Sequence, residues 1–285
     1  MKSNNLLLTG STGFIGSNFL NNIEEKFENI YLVTKEEIKE DNSHYIKWNF
    51  KNPYGDIILP SDIDTIIHLA ADNNKMASYK DLFYTNTLST MRLLEYGKEI
   101  GIKSFVYVSS GGIYGYNQTP SKEDNKTNFI DFYGLTKYQS EEITNFYSSY
   151  FSTTILRLFF PYGKGQKKGI IPLLTNKIIS KEKIITYNDN NPIINPIYIT
   201  DVIKILFDSL HLKGSHTINI AGDDHISIHD LSELIGNYLD INPIYENIKD
   251  KNISNLLGDN AYMKEIFNIR LSINIRKGIE NYISG

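Results

Sequence analysis

An eight-residue run, Thr9-Gly-Ser-Thr-Gly-Phe-Ile-Gly16, lies between the apolar stretch Leu6–Leu8 and a segment, 14–23, whose apolar residues fall at helical spacing. The glycines therefore sit at a strand-to-helix turn. Gly10 permits the tight turn, Gly13 keeps a Cβ out of the way of an approaching pyrophosphate, and Gly16 lets the helix pack closely on the strand. The free N–H groups and the dipole of a helix start attract phosphate. On this reading Gly10, Thr12, Gly13, Phe14, Ile15 and Gly16 face a dinucleotide.

A second motif, Tyr-x-x-x-Lys, occurs three times: Tyr31/Lys35, Tyr133/Lys137 and Tyr245/Lys249. Context separates them. Tyr31 and Lys35 fall on an expected strand, where residues four apart lie roughly 13 Å apart, too far to act on one substrate atom. Tyr245 follows Asn242-Pro243 in a polar stretch without a clear apolar face. Tyr133 opens a helical pattern through Lys137, Glu141 and Phe146, so its side chain shares a face with Lys137. It also follows an apolar strand, 105–109, whose end presents Ser110. A phenol, an amine and a hydroxyl together suit proton transfer to and from a carbonyl oxygen.

Further blocks follow in order: Ile67-His68-Leu69-Ala70-Ala71, Asn86 within Tyr84–Thr87, Ser109-Ser-Gly-Gly-Ile-Tyr-Gly115, Arg157-Leu-Phe-Phe-Pro-Tyr-Gly163, and Tyr198-Ile-Thr-Asp-Val202. With the two motifs above, the chain resembles the extended short-chain dehydrogenase/reductase family of nucleotide-sugar epimerases, dehydratases and reductases over nearly its whole length. The resemblance implies an α/β, Rossmann-type doubly wound parallel sheet with a small C-terminal substrate-binding lobe, and a homodimer. It implies further cofactor contacts at Asn49, Phe50, Leu69, Ala70, Ala71, Asn86 and Pro161, with Lys137 on the nicotinamide ribose. Substrate contacts are implied at Gly111, Gly112, Tyr114, Phe160 and Asn195. His68, in an apolar strand run, reads as core near the cofactor.

The alternation of apolar runs with helical stretches agrees with a parallel sheet covered on both faces. Strands are expected at 6–8, 30–33, 65–69, 105–108 and 154–158. After Gly163 the rhythm breaks: helices are expected at 170–180, 201–212, 231–239 and 274–283, and short strands at 184–187, 196–199 and 217–220. The expected division is a dinucleotide-binding domain over 1–163, with segments near 184–222 returning to it, and a discontinuous substrate lobe over 164–285.

The 285 residues are ample for a large core, and a net charge of −4 gives no basic footprint for nucleic acid. Only a three-leucine run follows Lys2 before polar residues resume, so neither a signal peptide nor a spanning helix is read, and a cytoplasmic location away from membranes is expected. The absence of cysteine excludes disulfides and thiol catalysis. His225 and His229 stand four apart, but Ser227 and Asp230 point to a helix start and no third ligand accompanies them, so no metal is expected.

The choice of dinucleotide turns on the end of the second strand, where an acidic residue binds the adenosine ribose of NAD and repels the 2′-phosphate of NADP. Thr34 is small and neutral there, and Lys35 can pair with a phosphate, which favours NADP(H) over NAD(H). Glu36 and Glu37 would reclaim the ribose if the strand ends later. Lys137 is expected to lower the pKa of Tyr133, and Ser110 to align a carbonyl oxygen with it.

In the resembled dehydratases an Asp-Glu pair follows the Ser/Thr; here Gly111 and Gly112 stand in that place, which disfavours dehydration. Two reactions need only Ser110, Tyr133 and Lys137: NADPH-dependent reduction of a keto group on a nucleotide-activated, 6-deoxy-type hexose, and NAD-dependent 4-epimerisation. The Thr34-Lys35 pair favours the reductase. Two positions depart from the family pattern: Phe160 replaces an Asn and Ile194 an Arg that faces the diphosphate. Asn195, Arg270 or Arg276 are the candidates to replace them, and a carbonyl substrate without a diphosphate stays open. So does a non-catalytic NADP(H)-binding module, a class that typically loses the Tyr or Lys retained here.

Overall fold

The structure, a computed structural model, describes residues 4–23, 27–35, 44–52, 58–188, 191–250 and 252–284. Glu36 and Glu37 lie outside the described residues. The strands are β1 (Leu6–Thr9), β2 (Ile30–Thr34), β3 (His44–Lys47), β4 (Thr65–His68), β5 (Ser104–Ser110), β6 (Ser152–Leu158), β7 (Pro161–Tyr162), β8 (Lys183–Tyr187), β9 (Ile193–Ile194), β10 (Ile197–Tyr198), β11 (Ser215–Ile220), β12 (Ile226–Ser227) and β13 (Ile244–Ile248). The α-helices are α1 (Phe14–Leu20), α2 (Tyr79–Leu82), α3 (Ser89–Ile100), α4 (Phe132–Phe146), α5 (Ile170–Ile179), α6 (Ile199–Ser209), α7 (Ile228–Leu239), α8 (Ala261–Phe267) and α9 (Ile275–Ile283). A π-helical turn, Phe83–Leu88, joins α2 to α3.

The chain divides into two compact units. The first comprises 1–110, 131–156 and 206–217; the second comprises 111–130, 157–205 and 218–285. The first holds the seven-stranded parallel sheet, ordered β11-β6-β5-β4-β1-β2-β3, up to Leu156 in β6 and Thr217 in β11. Its central strands are continuous apolar runs because both faces are covered. Leu7, Ile66 and Phe105 stand side by side on one face, where Leu93 and Leu94 of α3 close the core. On α1, Phe19 stacks on Phe207 of α6 with ring centroids 4.5 Å apart. Helices thus lie on both faces, as in a doubly wound Rossmann-type fold.

Strand order places the functional edge. From β1 the chain winds outward to β2 and β3, then returns to β4 on the other side and continues through β5 and β6. The reversal between β1 and β4 is a topological switch point, where ligands of such sheets bind beyond the carboxyl ends of the strands. Local chemistry ends the elements there. Gly10, with φ +73°, breaks β1, and Asp131 caps α4 by accepting the Gly134 N–H at 2.9 Å.

In the second unit, β7 pairs with β10 and β8 with β13, both parallel, while β9 pairs antiparallel with β12. Ser227 caps α7 by accepting the Asp230 N–H at 2.9 Å. The stretch around Tyr245, read as polar and without a face, is the strand β13; the Tyr245 hydroxyl donates to Glu233. Among the described residues, no helix is long and apolar enough to cross a membrane.

Candidate functional site

In the first unit the sheet register gathers the ends of four strands. Thr9 stands beside Val33 on one side and His68 on the other, so Gly10 falls between Thr34 and Leu69; His68 in turn stands beside Tyr107, which leads to Ser110. The glycine turn is tight where it meets protein and open elsewhere. A Cβ on Gly10 would lie 2.7 Å from the Ala70 nitrogen, and one on Gly16 would run into the Gly10 carbonyl oxygen. A Cβ on Gly13 would meet only the Gly10 oxygen, at 3.2 Å, and Thr12 and Gly13 are exposed.

Three observations fit this turn to a dinucleotide phosphate. Helix α1 has no side-chain cap at Gly13 and no acidic residue in its first turn, although the first N–H groups of any helix lack partners within it. The Ser11 hydroxyl is buried without a hydrogen-bond partner. Phe14 and Ile15, the first residues of the helix, are half-buried rather than sealed in the core.

Around the turn, Thr34 is buried at the end of β2 and Lys35 beside it is exposed. Asn49 is exposed, with its side-chain oxygen accepting the Lys51 N–H at 3.1 Å. Phe50 is buried against Trp48 with centroids 4.5 Å apart, so its ring belongs to the core. Leu69 and Ala70 are half-buried and Ala71 is exposed. The loop carrying Asn49 is tied to the loop after β4 by Lys51, which lies 3.3 Å from Asp72.

Asn86, expected to touch the cofactor, is instead 1% exposed with a committed side chain. Its amide donates to Thr136 Oγ1 and to the Asp72 carbonyl, both at 3.0 Å, and its oxygen accepts the Asp72 N–H at 2.7 Å. It clamps the loop after β4 to α4, and the π-helical turn sets it there.

Ser110, Tyr133 and Lys137 converge at the end of β5. Tyr133, in the first turn of α4, hydrogen-bonds Ser110. Lys137 is 2% exposed; its Nζ donates to the Val108 carbonyl oxygen at 2.6 Å and lies 4.2 Å from the centroid of the Tyr107 ring. The electrostatics differ from the expectation that Lys137 depresses the tyrosine. Burial, reinforced by the Asp131 charge and opposed by the Ser110 hydrogen bond, pushes the Tyr133 phenol up to about 12. Burial likewise pushes the Lys137 amine down to about 7, against the attraction of Glu141. An amine that is only partly charged near neutrality and aimed at a carbonyl has little field to spare for a phenol. In the protein alone, the group is a phenolic acid hydrogen-bonded to a serine.

Among the residues expected to meet substrate, the second unit shows three buried struts. Gly111 is buried, and a Cβ there would collide with the Phe159 ring, so no acid or base could replace it without moving that ring. Tyr114 is 1% exposed: its hydroxyl donates to Asn219 Oδ1 at 2.9 Å and accepts from Arg157 at 2.5 Å. Asn195 is fully buried, donating to the Gly258 carbonyl at 2.8 Å and accepting the Gly258 N–H at 3.1 Å. The polar atoms of Tyr114 and Asn195, both expected at the substrate, bond protein groups in this structure.

Gly112, Phe160 and Pro161 remain half-buried. Phe160 has φ +48°, a left-handed conformation that is uncommon for a bulky residue, and it precedes a proline, which adds a further restriction.

Comparison with known proteins places these features in a lineage. The dTDP-4-dehydro-6-deoxyglucose reductase of Escherichia coli is 30% identical over 82% of this chain and 81% of its own. The UDP-glucuronate 4-epimerase of Thermodesulfobacterium geofontis is 25% identical over 98% of this chain and 94% of its own. The crystal structure of a UDP-glucose 4-epimerase from Thermotoga maritima shares the fold, with a TM-score of 0.84 at 20% identity over 98% of this chain and 97% of that one. The sequence model of the NAD dependent epimerase/dehydratase family matches residues 6–221, and the chain belongs to that family.

Proposed function

We propose that the chain is an NAD(P)H-dependent reductase of a keto group on a nucleotide-activated hexose, with NADPH the preferred dinucleotide. The observation that carries this reading is the end of β2, where Thr34 is buried and neutral and Lys35 beside it is exposed, an arrangement that suits the 2′-phosphate of a dissociable NADPH rather than a tightly held NAD. Ser110, Tyr133 and Lys137 supply the groups that a ketoreductase needs to deliver a proton to a carbonyl oxygen.

Ser110 orients the carbonyl oxygen and Tyr133 donates the proton to it. Lys137 fixes the start of α4 against β5 and, when protonated, supports the phenolate left behind. The turn from Gly10 to Gly16 holds the pyrophosphate on backbone N–H groups. Lys35, exposed beside Thr34, takes the 2′-phosphate. When bound, a reduced nicotinamide dinucleotide supplies the hydride. Dehydration is disfavoured because Gly111 has no room for an acid or base. The nucleotide-sugar substrate is supported by the reductase and epimerase relatives named above.

One portion of the purified protein should be denatured and checked for released nucleotide, and a second, native portion titrated calorimetrically with NADPH and NADH. Empty protein that binds NADPH more tightly, and oxidises it with a nucleotide-linked 4-keto sugar, supports the proposal. Retention of NAD near one per chain would overturn it in favour of 4-epimerisation.

A further inference from the structure

His68 has no part in the chemistry above, yet it is the fully buried centre of a set of hydrogen bonds in the first unit. Its Nδ1 lies 2.7 Å from Thr9 Oγ1, and its Nε2 lies 3.0 Å from Thr90 Oγ1. Thr9 Oγ1 also accepts the Ala70 N–H at 3.1 Å, and Thr90 Oγ1 lies 2.6 Å from the Asn86 carbonyl.

The proton positions follow by elimination. A carbonyl oxygen only accepts, so the Thr90 hydroxyl spends its proton on Asn86. His68 Nε2 must then carry the proton in its bond to Thr90, and the neutral ring leaves Nδ1 bare. Thr9 must donate to Nδ1 while accepting from Ala70. Every donor points one way, from Ala70 through Thr9, His68 and Thr90 to Asn86. A second proton on the ring would leave the Thr9 hydroxyl without its acceptor. Burial, and then the neighbouring Lys137 charge, hold the imidazole pKa down to about 3, in keeping with a neutral ring.

The two ends of this chain are functional boundaries. The Ala70 nitrogen is the atom that a Cβ on Gly10 would meet first. At the other end, the Asn86 carbonyl also accepts from Ser140 on α4 at 2.9 Å, and the Asn86 side chain bonds Thr136 one turn from Tyr133.

We propose that His68 is a positioning residue for the dinucleotide turn: as the neutral Nε2–H tautomer it closes a one-directional hydrogen-bond chain that holds Ala70 against Gly10 and couples that turn to the helix bearing Tyr133 and Lys137. The positioning role rests on the dinucleotide reading of the glycine turn.

The test combines a spectrum with a binding cycle on the full-length protein. Histidine 15N spectra should show His68 as a neutral Nε2–H ring from pH 8 down to about 5. Thr9→Val and Thr90→Val should each weaken NADPH binding about tenfold, the double variant should be little worse than either alone, and Thr90→Ser should restore affinity. A Nδ1–H or doubly protonated ring would overturn the assignment. So would unchanged affinity in the folded variants, or losses that simply multiply. Should Thr9→Val fail to fold, Thr90→Val and the wild-type spectrum decide. Wild-type protein that binds neither NADPH nor NADH would remove the dinucleotide reading and the positioning role together, leaving the tautomer to the spectrum.

Discussion

Lys137 Nζ donates to the carbonyl oxygen of Val108 at 2.6 Å, a bond that pins α4 to β5 from a site with 2% exposure. The amine therefore enters the fold at a desolvation cost, and its pKa falls to about 7 from an ordinary 10.5.

That shift predicts a pH-dependent stability. Between about 7 and 10.5 the unfolded chain holds more protons at this residue than the folded one, so the Lys137 contribution makes the fold more stable as pH rises. Tyr133 acts in the opposite sense only above about 10, where the unfolded phenol loses its proton before the folded one. Urea denaturation from pH 7 to about 9.5 should show a rising contribution in the wild type that is lost in Lys137→Met. Equal slopes in the two proteins would contradict a buried, partly neutral amine.

Tyr133→Phe removes the proton donor and keeps the ring. The ketoreductase rate should fall on the order of 10² to 10⁴-fold, while NADPH affinity changes little. Single-turnover oxidation of bound NADPH reads the first quantity and calorimetry the second. Near-normal turnover would mean that another group delivers the proton.

Lys35 is exposed at the end of β2, so its removal should cost the fold little. Lys35→Ala should weaken NADPH binding by about 1 kcal/mol or more, the scale of a charge-assisted contact, and spare NADH. Equal losses for the two dinucleotides would deny this lysine the 2′-phosphate.

Local chemistry made much of this arrangement legible in the sequence. A glycine turn between an apolar strand and an amphipathic helix carries its own meaning, and the central strands are apolar throughout because both sheet faces are covered. The edge strand β3, His44-Tyr-Ile-Lys47, escaped notice because its ends are exposed and Ile46 is its one aliphatic side chain. So did β13, whose residues are mostly exposed and which forms only by pairing with the distant β8. Asn86 and Asn195 likewise find partners far along the chain. Asn86 bonds Thr136, 50 residues on, and Asn195 bonds Gly258, 63 residues on. A sequence marks an asparagine as a polar group in an important place, but it does not reveal whether the partner is a ligand or a remote stretch of backbone.

Asn195→Ala separates these two roles. The substitution leaves the Gly258 N–H and carbonyl without their partners inside the protein, which should destabilise it by about 1–3 kcal/mol in denaturant titration. KM for substrate should stay near the wild-type value in the fraction that folds. A large rise in KM with unchanged stability would restore Asn195 as a ligand contact.

Phe160 provides the sharpest trade between stability and function. Its left-handed backbone costs an L-residue roughly 1–2 kcal/mol, and asparagine tolerates that region far better than phenylalanine. Phe160→Asn should therefore stabilise the protein by about 1 kcal/mol, less whatever the half-buried ring contributes by packing. If the ring is kept because it meets substrate, the same variant should raise KM while leaving NADPH affinity unchanged. Thermal denaturation and steady-state kinetics on one preparation read both quantities. A stabilised variant with unaltered KM would show that the strain serves no step in substrate binding. A destabilised one would show that packing of the ring outweighs the backbone cost.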